Sequence, residues 1–131
     1  MPFALALTIV LVALAGLQAA LVLGAPWGRF AWGGQHRVLP TRLRVGSAIS
    51  IIVYAVIVLL AWTKVGVVPA IPAIIGDVGM WIVFGYFCLG IVMNAISRST
   101  SERNVMVPVT IVLTVLSLLI ALGYGAMAMA I

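Results

Sequence analysis

The chain offers few side chains that could act as acids, bases or nucleophiles. Its 131 residues include two acids, Asp77 and Glu102, one histidine, His36, and one cysteine, Cys88. Catalysis by paired carboxylates is excluded, because the two acids belong to separate polar segments that we expect on opposite sides of a membrane. A single cysteine excludes an intrachain disulfide and a cysteine-based metal site, and we expect neither a metal nor a cofactor. His36 alone is then left as a candidate acid or base.

One polar interval, "WGRFAWGGQHRVLPTRLRVGS" from Trp27 to Ser47, concentrates the remaining chemistry. It holds four of the seven cations, the histidine and two of the four tryptophans. Tryptophan suits the lipid headgroup level, and arginine forks suit phosphate or carboxylate. We predict an anionic lipid headgroup here, beside the end of the third helix. The predicted ligand-binding residues are Gln35, His36, Arg37, Arg42, Arg44, Asn94 and Arg98.

Long apolar segments must position these residues. Hydrophobic residues make up 66% of the chain and charged residues 7%, which favours the bilayer as solvent. Each apolar segment is near the roughly 20 residues that a helix needs to cross a membrane, and none alternates as barrel strands do. We therefore predict a single all-α domain over residues 1–131, an antiparallel bundle of four transmembrane helices near residues 3–23, 41–62, 77–97 and 105–131.

The distribution of cations predicts the orientation of this bundle. The loop after the first helix and the loop after the third share one side and carry six arginines, whereas the middle loop carries only Lys64. The positive-inside rule then places both arginine-rich loops in the cytoplasm and both termini outside. The first segment lacks a basic region before it, so we expect an uncleaved helix. Because the cations adjoin apolar runs, we expect lipid rather than nucleic acid as partner.

The two acids are expected at the membrane surfaces. Asp77 is predicted to open the third helix, capping free backbone N–H groups at the end of a middle loop from Val65 to Gly76. No carboxylate lies in the middle of a predicted span. Proton-driven antiport is therefore disfavoured, because proton and substrate must compete there for a buried charge.

Small and polar residues at helical spacing predict the inner faces of the helices. Gly79, Gly90 and Ala121 favour close helix contacts, from which we expect a homo-oligomer. Polar residues become fewer from the cytoplasmic helix ends toward the midplane, which predicts a pocket open to the inner leaflet. A bundle without a pocket would show the same decrease in polar residues toward the midplane, because its helix ends lie near water. The predicted lining residues are Gln18, Ser50, Tyr54, Tyr86 and Ser117.

The stretch "GAPWGRFAWGGQHRVLPTRLRVGSAIS" and the later stretch "NAISRSTSERNVMVPV" carry a resemblance. They resemble a family of small bacterial membrane proteins of uncharacterised function. The family pattern is G-G-x-H-[RK]-V-L-P-x-[RK]-L-R after the first helix and Asn-x-x-Ser-[RK]-Ser at the end of the third. The match extends over nearly the whole chain, and it implies a four-helix protein of the bacterial plasma membrane with no established activity.

Two classes of function follow. The favoured one is an oligomeric, non-enzymatic membrane protein that binds or moves a small amphiphile or anionic lipid at its cytoplasmic face. The alternative is an enzyme, or a subunit of one, that acts on a lipid or quinone with His36 or a tyrosine in the chemistry. A structural subunit of a larger membrane complex is a third possibility.

Overall fold

A computed structural model describes residues 2–123, which form four α-helices and no strand. The helices are α1 (Pro2–Val22), α2 (Thr41–Lys64), α3 (Ala73–Ala95) and α4 (Thr100–Ala121). Two single turns of 3-10 helix, Gly28–Phe30 and Trp32–Gly34, lie between α1 and α2. The predicted all-α, four-helix fold is confirmed.

All four helices are long and apolar enough to cross a membrane. At about 1.5 Å per residue even the shortest, of 21 residues, spans about 30 Å, the thickness of the hydrocarbon core. Their outward faces carry large apolar side chains, such as Ile9, Ile52 and Ile82, that are more than 60% exposed. Such surfaces are unfavourable in water and match lipid, so the chain is a multi-pass membrane protein.

Each helix packs against its neighbours in sequence, and α1 also contacts α4, which closes the ring of four. The main apolar core lies at the end of the bundle that holds the α1 N-terminus and the α2–α3 connection. It contains Ala4, Leu7, Leu11, Ile57, Ala61, Val65, Met80, Val83, Phe87, Leu113, Ile120 and Ala121. This half of the bundle is therefore closely packed.

The start of α3 corrects one prediction. The helix begins at Ala73, directly after Pro72, and the Asp77 carboxylate caps no N–H group there. Proline has a helix-compatible φ and no N–H to satisfy, so it starts a helix readily. Asp77 Oδ1 instead accepts a 2.7 Å hydrogen bond from Lys64 Nζ across a connection that is shorter than predicted. The acid ties α3 to the end of α2.

The bounds of α4 also differ from the prediction. The helix begins at Thr100 rather than near residue 105, because the Ser99 hydroxyl accepts from the backbone N–H of Glu102 and caps the first turn. It continues through Pro108 and ends at Ala121. The predicted continuation over 124–131, with Tyr124, lies outside the described residues.

The small residues that suggested self-association pack inside the bundle. A Cβ added at Gly79 would lie 2.7 Å from a Leu60 methyl group, and one at Gly90 would lie 3.1 Å from the Thr110 methyl group. Ala121 is buried as well. These residues serve contacts within one chain, so the expected homo-oligomer stays a prediction without their support.

Candidate binding cavity

A cavity of about 480 Å³ lies in the half of the bundle opposite the main apolar core. Its walls come from the C-terminal parts of α1 and α3 and the N-terminal parts of α2 and α4. Residues between 30 and 35 of the α1–α2 connection form part of its cover. The bundle is thus packed at one end and hollow at the other, which is the end that carries all six arginines.

The lining changes from apolar to polar along the cavity. Toward the middle of the bundle the walls are formed by Leu14, Phe87 and Leu113 with the rings of Tyr54 and Tyr86. At the helix ends the lining is polar. The polar or charged residues there are Gln35, Arg42, Asn94, Ser97 and Glu102. The arrangement matches a molecule with an apolar body and a polar head.

Residues 28–35, which we call the lid, are fixed to two helices. The Trp32 indole N–H donates to the Ser47 hydroxyl of α2 at 3.0 Å. The Gly33 backbone N–H donates to Glu102 Oε2 of α4 at 3.2 Å. The Ser99 hydroxyl donates to the Arg29 carbonyl. The lid therefore bridges α2 and α4 above the cavity.

Close backbone approach makes glycine necessary in and under the lid. A Cβ at Gly34 would overlap the Ser99 side chain, and a Cβ at Gly28 would overlap the His36 carbonyl. In α2, a Cβ at Gly46 would lie 2.7 Å from the Trp32 ring. Only a residue without a side chain permits these contacts, so the glycines of the polar interval hold the lid against the bundle.

Glu102 is the buried acid of the cavity, with 6% of its surface exposed. Ser99 and Glu102 have the spacing of a capping box, in which the glutamate returns to the N–H of the cap residue. Here the Ser99 N–H donates to the Ser97 hydroxyl instead. The carboxylate is therefore turned toward the lid and the cavity, where Gly33 is its hydrogen-bond donor.

Two amide side chains lie along the cavity wall at increasing depth. Asn94 Nδ2 of α3 donates to the Thr110 hydroxyl of α4 at 2.8 Å. Deeper in the bundle, Gln18 Nε2 of α1 approaches the Tyr54 hydroxyl of α2 at 3.4 Å. Gln18 Oε1 is buried and has no hydrogen-bond partner among residues 2–123. An unsatisfied acceptor is therefore buried within the bundle, near the Tyr54 hydroxyl.

The structure brings half of the sequence-predicted site residues to the cavity. Those that line it are Gln18, Gln35, Arg42, Tyr54, Tyr86 and Asn94. Those that do not line it are His36, Arg37, Arg44, Ser50, Arg98 and Ser117.

Several of the residues outside the cavity have structural contacts of their own. The hydroxyls of Ser50 and Ser117 donate to the carbonyls four residues earlier in their own helices, at 3.1 and 2.7 Å. Such bonds satisfy the hydroxyl donor within its own helix. Arg44 Nε donates to the Leu39 carbonyl at 2.8 Å, which orders the start of α2.

Sequence reasoning missed Glu102, Trp32 and Phe30, all of which line the cavity. The sequence predicts Glu102 in the loop between the third and fourth helices, at the membrane surface. The spacing of Ser99 and Glu102 could have placed the acid in a helical first turn. Nothing local in the sequence indicates that its carboxylate faces the lid rather than its own cap.

Comparison of this chain with known protein families, with curated proteins and with solved structures finds no match. The resemblance to small bacterial membrane proteins therefore stays a prediction. Function has to be argued from the geometry of the cavity.

Proposed function

We propose that this protein binds a small amphiphile in the cavity, with the polar head at the arginine-rich end and the apolar part along the inner walls of the bundle. The observation that carries the proposal is the hollow half of an otherwise packed bundle. Its volume of about 480 Å³ is within the range of roughly 300–1,000 Å³ that is typical of small-molecule sites.

Arg42 and Gln35 supply the recognition of an anionic group at the mouth of the cavity. Both are exposed and both line it. An arginine fork pairs well with phosphate or carboxylate oxygens. By the positive-inside rule this end faces the cytoplasm, so the ligand enters from the inner leaflet.

Binding or movement of the ligand is favoured over chemistry upon it. His36, the candidate acid or base of an enzyme, does not line the cavity. The Tyr54 hydroxyl is paired with Gln18. The other titratable lining residues, Tyr86 and Glu102, belong to opposite ends of the cavity, so they do not form a catalytic pair.

Filling the cavity tests the proposal. Leu14 lines it, so Leu14→Trp places a large ring in the space for the ligand. Leu5, on the same helix, is 51% exposed on the outer face, so Leu5→Trp is the matched control. We expect Leu14→Trp to reduce the lipid retained after detergent washing several-fold, as measured by native mass spectrometry, and Leu5→Trp to leave it unchanged. Equal retention in wild type and both variants would contradict a binding cavity.

A further inference from the structure

Among residues 2–123, no cationic nitrogen lies within 4.0 Å of the Glu102 carboxylate oxygens. Within that range the one ion pair joins Lys64 and Asp77 at the opposite end of the bundle. Arg103, the next residue, directs its guanidinium to the Ser97 carbonyl and the Thr100 hydroxyl. Glu102 Oε2 accepts from Gly33, whereas Oε1 accepts no hydrogen bond from these residues.

Only 6% of the Glu102 surface is exposed, and a carboxylate enclosed to that extent is costly without a cationic partner. The position of Glu102 in the first turn of α4 offsets part of the cost, because the helix dipole favours a negative charge there. The Gly33 N–H offsets another part. Glu102 lines the cavity, and its Oε1, which has no donor among residues 2–123, remains available to a donor group of the ligand.

The same cavity holds a cation that is not paired with Glu102. Arg42 lines the cavity, but no nitrogen of Arg42 lies within 4.0 Å of the Glu102 oxygens. The two opposite charges therefore face one space without neutralising each other directly. Phe30 and Trp32 line the same end of the cavity, and the Phe30 ring already pairs with the Arg29 guanidinium, whose carbon lies 4.8 Å from the ring centroid.

We infer that the ligand head is zwitterionic, with a protonated amine held by Glu102 and an anionic group held by Arg42. This inference rests on the proposed function, since it names the head group of the amphiphile. An ammonium group has three donors, and Glu102 Oε1 is an acceptor that can take one of them. Each charge of the head then meets the opposite charge of the protein, which is how buried charges are stabilised.

The test compares two lipids that share a phosphate and acyl chains and differ in the amine. The full chain is inserted into vesicles of equimolar phosphatidylethanolamine and phosphatidylglycerol, and retained lipid is measured by native mass spectrometry. We expect wild type to prefer phosphatidylethanolamine by about tenfold, as one charge-assisted hydrogen bond provides. Glu102→Gln should lose that preference, while Asp77→Asn, which removes the only other acid, should keep it.

Glu102→Gln is isosteric and keeps an oxygen for the Gly33 N–H, so the lid is expected to stay in place. Glu102→Asp separates the charge of the carboxylate from its contact with the lid. Aspartate keeps the charge but is too short to hold the lid in the same way. It should preserve part of the preference for phosphatidylethanolamine. Added ethanolamine distinguishes a lipid from a free amine, because displacement of the lipid by ethanolamine shows that the amine alone is recognised.

The possible failures are distinguishable. If Glu102→Gln retains phosphatidylethanolamine over phosphatidylglycerol as wild type does, or if wild type has no preference, the amine is not bound by Glu102 and this inference is wrong. Retention that is blocked by Leu14→Trp would still support the cavity in that case. If wild type retains neither lipid, the proposed function itself, binding of an amphiphile in the cavity, is contradicted.

Discussion

At the scale of single residues, the lid depends on backbone conformations that few residues tolerate. Trp32 has φ of +53°, the only positive value for a non-glycine among residues 2–123, and Gly33 and Gly34 follow at +75° and +70°. A bulky residue in the left-handed region costs of order 1–2 kcal/mol. The indole hydrogen bond to Ser47 and the contact with Gly46 hold Trp32 in this conformation. Strain of this kind is typical of functional segments.

Gly34→Ala should loosen the lid much more than Gly33→Ala. Both glycines have positive φ, so each substitution costs roughly 1 kcal/mol in backbone strain. At Gly34 the added methyl group also overlaps Ser99, whereas nothing lies within 4 Å at Gly33. We expect amide hydrogen exchange over residues 28–36 to accelerate strongly in Gly34→Ala and modestly in Gly33→Ala. Equal acceleration would show that the lid does not depend on contact with Ser99.

At the scale of elements, polar side chains connect the helices at both ends of the bundle. At the packed end, the Trp62 indole N–H of α2 donates to the Thr8 hydroxyl of α1 at 2.9 Å. At the hollow end, Asn94 joins α3 to α4 through Thr110. Such bonds matter because lipid provides no hydrophobic drive for helix association. Because α3 and α4 both form walls of the cavity, the Asn94–Thr110 bond also joins two of its walls.

Thr110→Val removes the acceptor for Asn94 and keeps the shape of the side chain. We expect the free energy of unfolding in mixed micelles to fall by about 0.6 kcal/mol, the average for such interhelical bonds. Thr114→Val is the control, because the Thr114 hydroxyl donates only to the Thr110 carbonyl of its own helix. If the two variants lose the same stability, the bond between α3 and α4 contributes nothing measurable.

At the scale of the whole molecule, the two ends of the bundle differ in packing and in charge. The end with Lys64 contains the apolar core, and the end with six arginines contains the cavity and the lid. An anionic inner leaflet attracts basic residues by about 1 kcal/mol each. In the proposed orientation, the arginines that face the cytoplasm also bring the cavity mouth to the leaflet from which the proposed amphiphile enters.

The orientation can be measured with cysteines at the two ends, in a Cys88→Ala background. Thr100 and Val67 are both exposed, the first at the start of α4 and the second in the α2–α3 connection. We expect a membrane-impermeant maleimide to label Val67→Cys in intact cells and Thr100→Cys only after permeabilisation. The reverse pattern would place the cavity mouth outside and overturn the positive-inside assignment.

The sequence alone determined the helices and their distribution of charge. Runs of apolar residues near the length of a membrane span fix the number and type of elements, because unsatisfied backbone groups cannot exist in hydrocarbon. Pro40 marks the start of α2 as predicted from local rules. The predicted starts differ from the observed ones at α3, which begins at Ala73 rather than Asp77, and at α4, whose charged first turn precedes the apolar run. These features depend on residues close in sequence.

The tertiary structure decided which polar residues meet. Glu102 faces the cavity because Gly33, 69 residues earlier, donates to it, and no local pattern encodes that pairing. Ser50 and Ser117, which the sequence placed in the pocket, bond to their own helices, whereas Asn94 reaches across to α4. A polar side chain in a helix can form its hydrogen bond within its own helix or with a neighbouring helix, at similar energy. Which of these two hydrogen bonds forms depends on the rotation of the helices and on the path of the lid. Packing of the whole bundle sets that rotation and that path.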